Sequence, residues 1–490
     1  MENNNQFPPS RQTCTAFPTG KRELLFAALT AVWALLLCNS LYAGGLNLGF
    51  GVCAIALIGS SFGYLWCAGF RPGAYSGALL IGSLLIAAGF GWSCDGPVEL
   101  VMLAFFLVSA NLGLCLMAGK NAWDPGKVQS LLDAPQTLFQ LGFGKLPESC
   151  KGLTEAIKAD GAGRKGGAFL LGLGFAVPVL AVVLPLLTGA DAAFEGLISR
   201  LPEVQIGEMV FTFLFGVCLG AVLFTQGVAL CNAPVAKEKS AKNTGISAIT
   251  VNTMLVCLCI VYLVYLLSQL AYFVGGFSGL LPEGYSLAEY ARRGFFEMAA
   301  LCAVDLAVMV VSLALVKKTE KAPRSTRVLC LLIGLVTLFL VCTASAKMFM
   351  YIDRYGMSRL RLLTQIAMLF LGLTTLVVSV WLFVPRLPYM KAVLLGALVI
   401  GIATMWMDVD TQVARYNVDA YLSGKLETVD VNYLSGLSDG ALLELERLAQ
   451  CAPEQWLSNH ARRALRCRYP VEDLRGFNYF NAAAQKWNSH

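Results

Sequence analysis

Long stretches without a single Asp, Glu, Lys or Arg dominate this chain, and short charged breaks separate them. The first runs over 24–70 and the next over 72–94. A helix rises about 1.5 Å per residue and the hydrocarbon core of a bilayer is about 30 Å thick, so one crossing takes ~20 apolar residues. On that measure 24–70 predicts two spans turning at Gly44 and Gly45. Further spans are predicted at 72–94, 100–119, 166–190, 209–230, 246–271, 298–316, 328–346, 362–384 and 389–407. The total is about eleven. The uncharged stretch 243–282 is long enough for two spans, but Gly275, Gly276, Gly279 and Pro282 predict a loop in its second half.

Composition agrees with the pattern. Of 490 residues, 57% are hydrophobic and 14% charged, against about 25% charged in soluble domains. That excludes a soluble enzyme, a disordered chain and a disulfide scaffold. The fold class is an all-α polytopic membrane bundle with a small helical C-terminal tail. The segments are 1–23, a cytoplasmic N-terminal stretch; 24–119, four spans; 120–166, a basic cytoplasmic loop; 167–407, seven spans; and 408–490, the tail.

Orientation follows the positive-inside rule. With the N-terminus inside, 21 of the 37 basic residues fall on cytoplasmic segments, 7 on external connecting loops and 9 in the tail. The N-terminus is therefore predicted inside and the tail outside. The net charge of +6 gives no reason to expect a nucleic-acid partner. The bilayer is the evident partner, and the loop 120–166, with Leu131, Leu132, Leu138 and Phe139 at helical spacing, suits amphipathic helices on anionic lipid. In the tail, apolar positions predict three short helices, the second capped by Asp439. They form a small cap for the bundle or for a protein partner.

Candidate chemistry is sparse. The only histidines, His460 and His490, lie in the tail, which excludes an intramembrane histidine relay or metal site. No Walker A loop, HExxH, GxSxG or dinucleotide fingerprint is present, so no catalytic residue, cofactor or metal is assigned. Most of the 16 cysteines fall in apolar spans; the tail pair Cys451 and Cys467 can form a disulfide if the tail is external. The pairs Gly59/Gly63 and Gly216/Gly220 predict close helix packing.

Asp305 stands out, because an acid near mid-span costs ~2.5–3.5 kcal/mol and must face the bundle. Glu297, Asp305 and Ser312 share one helical stripe, and Asn252 is a further in-span polar group. The stripe reads either as a proton or cation path or as a protonated acid hydrogen-bonded between helices. A second cluster, Asp353, Arg354, Arg359 and Arg361 with Arg292 and Arg293, is predicted outside; it reads as an anion site or as a salt-bridged structural clasp.

Four strings carry a family resemblance. They are Pro178 to Phe194, Gln269 to Glu297, the run from Tyr351 to Arg361 (YIDRYGMSRLR), and Asp410 to Asp439 with its VARYNV core. Together they resemble the domain-of-unknown-function 4153/4173 family of multi-pass bacterial proteins. The resemblance implies a bacterial cytoplasmic membrane location and supplies no activity. Three functions follow from the residues: a non-catalytic sensor, scaffold or accessory subunit; a transporter or channel built on Asp305; or a membrane-embedded enzyme acting on a lipid-linked or anionic substrate.

Overall fold

The computed structural model describes residues 17, 19–92, 96–159, 183, 206–234, 246–277, 295–316 and 324–466. Among them every regular element is a helix; one isolated bridge joins Ile246 to Val316. The N-terminal half contains α1 (Lys21–Gly44), α2 (Leu48–Cys67), α3 (Ala74–Gly89), α4 (Gly96–Met117), α5 (Leu146–Ala159) and α6 (Ile206–Asn232). The C-terminal half contains α7 (Ala248–Phe277), α8 (Phe295–Leu315), α9 (Arg324–Tyr355), α10 (Arg359–Phe383) and α11 (Tyr389–Met407). The tail folds as α12 (Val409–Leu422), α13 (Val431–Ser435), α14 (Gly440–Cys451) and α15 (Gln455–Arg466).

Eight described helices are long and apolar enough to cross a membrane, and two shorter apolar ones, Ala74–Gly89 and Met298–Ala314, fall on the predicted third and eighth spans. The predicted span at 166–190 lies outside the described residues, apart from Val183. The helix that opens at Ala248 continues through Gly275 and Gly276 to Phe277, farther than the glycines suggested. Two glycines can be carried by a helix already committed by a long apolar run, at about 1 kcal/mol each.

Contacts define two ends of the bundle. At one end lie the start of α1, where Arg22 reaches Cys67 O at the end of α2, and the end of α6, where Lys120 Nζ meets Ala233 O. The starts of α7 and α9 belong there too, since Asn252 bonds Ser325 and Thr326. At the other end Trp92, after α3, stacks on Trp406 near the end of α11, and the tail packs against the start of α10. The start of α1 and the tail helices α12–α15 therefore occupy opposite ends. Ala159 and Ile206 also lie at opposite ends, because α5 touches Phe17 while α6 runs antiparallel to α1.

Small residues set the helix approaches. A Cβ added to Gly216 would lie 2.9 Å from Leu35 Cα, and one on Gly220 would lie 3.0 Å from Ala31 Cα, so α1 and α6 touch backbone to backbone. α11 seats Leu398 and Met405 against Gly82 and Gly89 of α3. Gly59 and Gly63 behave differently: among the described residues nothing lies within 4 Å of a Cβ on either. The predicted close packing is seen at Gly216/Gly220; for Gly59/Gly63 no described residue supplies it, since small-residue spacing identifies a permitted approach, not an actual neighbour.

The tail has its own core of Val413, Val418, Ala441, Leu445, Leu448 and Leu457, all buried. Asp439 does occupy the position before α14, but with helical backbone angles and no capping bond. The side-chain cap in the tail comes instead from Asp430, which accepts from Tyr433 N at 2.9 Å.

Candidate functional site

Asp305 is fully buried where α7, α8 and α9 meet. Tyr262 of α7 donates its hydroxyl to Oδ1, and Thr337 Oγ1 of α9 lies 2.8 Å from Oδ2. Thr337 Oγ1 also lies 2.9 Å from Ile333 O. One hydroxyl hydrogen thus has two acceptors in reach. If the acid is neutral, its O–H donates to Thr337, which donates to Ile333 O; if it is ionised, Thr337 turns to the carboxylate. The network accommodates a neutral acid with every hydrogen placed and no counter-ion required.

The rest of the predicted stripe does not converge on this point. Asn252 sits about ten residues before Tyr262 on α7, roughly 15 Å along the helix, where it accepts from Thr326 Oγ1 at 2.6 Å and donates to Ser325 Oγ at 3.0 Å. Ser312 is buried, and among the described residues its hydroxyl has no hydrogen-bond partner. Glu297 lies in the first turn of α8, and its side chain is outside the described residues. Tyr262 and Thr337 carried no signal in the sequence, because a Tyr or Thr in an apolar span is ordinary until a buried acid is placed beside it.

The second cluster forms one clasp between the α9–α10 corner and the tail. Arg359 grips Asp410 through Nε at 2.6 Å and through Nη2, and Asp410 is fully buried. Ser438 N donates to the same carboxylate at 2.7 Å. Asn417 reads the corner backbone in both directions, accepting from Met357 N at 2.8 Å and donating to Met357 O at 2.7 Å. Gly356, at φ 77°, is required there: a Cβ would lie 2.5 Å from Asn417 Oδ1. Tyr433 OH accepts from Arg359 N at 2.9 Å, and Asp353 pairs with Lys425. Arg361 lies over the Tyr351 ring at 4.1 Å and donates to Tyr355 O at 3.1 Å and to Gly356 O.

Of the predicted cluster, then, Asp353, Arg359 and Arg361 are engaged within the chain, and Arg354 is exposed. Arg292 and Arg293 lie outside the described residues. Cys451 is exposed at the end of α14, and Cys467 lies outside the described residues. The strings 351–361 and 410–439, noted separately in the sequence, are the two jaws of this clasp.

At the opposite end Glu23 is buried beneath Arg22 and Tyr64. It accepts from Gly20 N at 2.8 Å, from Arg22 Nη2 at 2.7 Å and from Tyr64 OH at 3.2 Å. Phe26 stacks on Tyr64 with ring centroids 4.4 Å apart. These bonds anchor the start of α1 to α2.

The loop after α4 is ordered into a 3-10 turn (Val128–Leu132), an α turn (Asp133–Gln136) and a π-helical segment (Thr137–Phe143). A cavity of about 250 Å³ opens between this run and the end of α6, lined by Lys120, Asp133, Gln136, Gln140 and Lys145 among others. Nothing in the residue spacing of 120–145 revealed it, because its two walls are more than 80 residues apart.

A search of curated proteins and a search of solved structures each return no match. The profile of a family described as a domain of unknown function, DUF4153, matches residues 22–448. That range takes in every described span and ends within α14. Both jaws of the clasp and the Asp305 network fall inside it, and the chain belongs to the DUF4153 family.

Proposed function

We propose that this protein is a non-catalytic scaffold or accessory subunit of the bacterial cytoplasmic membrane. In this reading it holds a small helical tail rigidly on the external face, with the N-terminus inside. The observation that carries the reading is the clasp. Arg359, Asp353 and Arg361 are spent on fixing Asp410, Lys425 and the corner backbone. A bidentate ion pair on a buried carboxylate, with a two-way Asn–backbone lock, orients a domain and commits Arg359 and Arg361 to contacts within the chain. Asp305 supports the same reading over a conduction path, because both its oxygens are engaged by neutral hydroxyls in dry packing.

The tail's outer surface keeps exposed apolar groups, notably Trp456 and Leu443. The test is photo-crosslinking from positions 456 and 443 of the full-length chain in native membranes, with position 263 on α7 as a control. A discrete protein adduct is expected from the tail positions only. It should disappear in the Arg359→Ala/Asp410→Ala double variant while the membrane level of the chain is unchanged. Absence of any tail adduct, or an adduct indifferent to the clasp, would overturn the scaffold reading.

A further inference from the structure

The cavity beside α6 is lined by two lysines, two glutamines and one acid, among others. Lys120 Nζ lies 2.5 Å from Ala233 O, where it caps the carbonyl end of α6, and its charge stays at the cavity wall. Lys145 reaches the same space while bonded to Glu148 at 2.9 Å. Gln136 and Gln140 lie one turn apart on the lining face, and among the described residues neither side chain makes a hydrogen bond. The lone acid of the wall, Asp133, is turned toward the backbone, accepting from Ala122 N at 2.9 Å and Trp123 N at 3.4 Å. Thr137 is likewise committed, donating to Asp133 O at 2.6 Å. Lys120, capped on a carbonyl, Lys145, paired with Glu148, and two carboxamides thus line a space large enough for a phosphodiester with its polar substituent, and a bound phosphate would compete with Glu148 for Lys145.

The depth of the π-helical segment says where that space opens. Gly142 packs on α6 at Val222, within 3.0 Å of its Cγ1 if a Cβ is added. Val222 lies about ten residues before the end of α6, roughly 15 Å at about 1.5 Å per residue. The apolar run of α6 continues past that level to Leu230. The segment therefore dips below the edge of the bundle's apolar belt. Its outward face carries Phe139 and Phe143, 62% and 46% exposed, with ring centroids 5.9 Å apart. Exposed, stacked aromatics inside the apolar belt are suited to lie against acyl chains. Gln136 at the end of the α turn, Gln140 in the π segment and Lys145 just after it line one wall, while the two rings are exposed.

We propose that this cavity binds the headgroup of an anionic phospholipid, its phosphate held by Lys120 and Lys145 and its polar substituent by Gln136 and Gln140, with its chains lying against Phe139 and Phe143. The site is a specific one, distinct from general attraction of a basic loop to a charged leaflet.

Native mass spectrometry of the full-length protein in mild detergent, titrated with phosphatidylglycerol or phosphatidylcholine, tests it. Phosphatidylglycerol should be retained at one site and phosphatidylcholine should not. Lys120→Gln/Lys145→Gln should weaken retention roughly twenty-five-fold, at about fivefold for each lysine. Gln140→Glu, at an exposed position free of internal bonds, should weaken it at least as much as one lysine without disturbing the fold. Lys127→Gln, on the same loop but outside this cavity, should leave it unchanged. Equal retention of the two lipids, an equal loss in Lys127→Gln, or wild-type binding by Gln140→Glu overturns the proposal. Displacement of the lipid by millimolar inorganic phosphate would overturn the lipid as the source of the phosphate.

Discussion

Replacing Arg359 with Ala should free the tail from the bundle. Removing one partner of a buried ion pair costs about 3–5 kcal/mol, because a charge is left buried and unpaired. Here the arginine side of the pair is 29% exposed while the Asp410 side chain is fully buried, so water can enter in place of the guanidinium. Discounting for that access leaves about 2 kcal/mol. The same change keeps Ser438 N on the carboxylate and keeps the Asn417–Met357 lock, so the tail should open more often without unfolding. At 1.4 kcal/mol per decade, ~2 kcal/mol is about a thirtyfold rise in the opening equilibrium. Amide hydrogen exchange of 409–451 in detergent micelles reads that rise directly. The spanning helices serve as the internal reference and should exchange as in the wild type. Asp410→Ala should also loosen the tail, by about 1–3 kcal/mol, since it strands Ser438 N. The double variant should be less damaged than the sum of the two, because neither charge is then left alone. Wild-type exchange in Arg359→Ala, or acceleration spread evenly over tail and spans, would refute the clasp.

Asp305→Asn should cost less than about 1 kcal/mol, because an amide can still accept from Tyr262 and donate to Thr337; Asp305→Ala should cost ~2–3 kcal/mol by orphaning both hydroxyls. Thermal unfolding in detergent separates the two, and a proton flux in proteoliposomes lost in Asp305→Asn would restore the conduction path. Gly220→Val should destabilise by about 1–3 kcal/mol by forcing α1 off α6, whereas Gly63→Ala should stay within about ±0.5 kcal/mol; the same thermal assay checks both. The Lys145 hydrogen bond holds the Glu148 carboxyl below its ordinary range. That contribution to docking of α5 is complete above the ordinary carboxylate pKa of about 4.3 and is lost as pH falls through the lowered value; exchange at α5 amides should show the loss, and Glu148→Gln should abolish its pH dependence. In single-cysteine variants, an impermeant maleimide should label Cys451 in intact cells and Cys150 only after permeabilisation; the reverse order would invert the proposed orientation.

The spans were legible because hydrocarbon imposes a length and forbids charge, and both constraints are local in sequence. The tail helices were legible for a similar reason: Val413, Val418, Leu445 and Leu448 follow the helical repeat. What the spacing could not supply was partnership between distant segments. Asp305 advertised a buried need but not that Tyr262 and Thr337 would meet it. Arg359 and Asp410 stood in two separate strings, 51 positions apart, and only the fold closes them on each other. The cavity at Lys120 escaped notice for a further reason. Part of its wall is a π turn, whose register a 3.6-residue pattern does not describe, and the rest comes from segments far apart in the chain.

The depth at which each polar group lies indicates where this protein can act. In the described spans the polar contacts are neutral or can be made so: Gln226 donates to Asn111 at 2.7 Å, Gln365 to Ser345 O at 3.0 Å, and Tyr262 to Asp305. Such bonds average only ~0.6 kcal/mol, enough to fix helix register and too little to drive a change of state. Full charges are paired at the ends instead, Arg22 with Glu23 at one and Arg359 with Asp410 at the other. Substitutions at mid-depth should therefore move stability alone, and substitutions at the ends should move binding or tail order with stability nearly constant. In the proposed reading the interior is a frame that holds apart a lysine-lined cavity at one end and a clasped helical tail at the other.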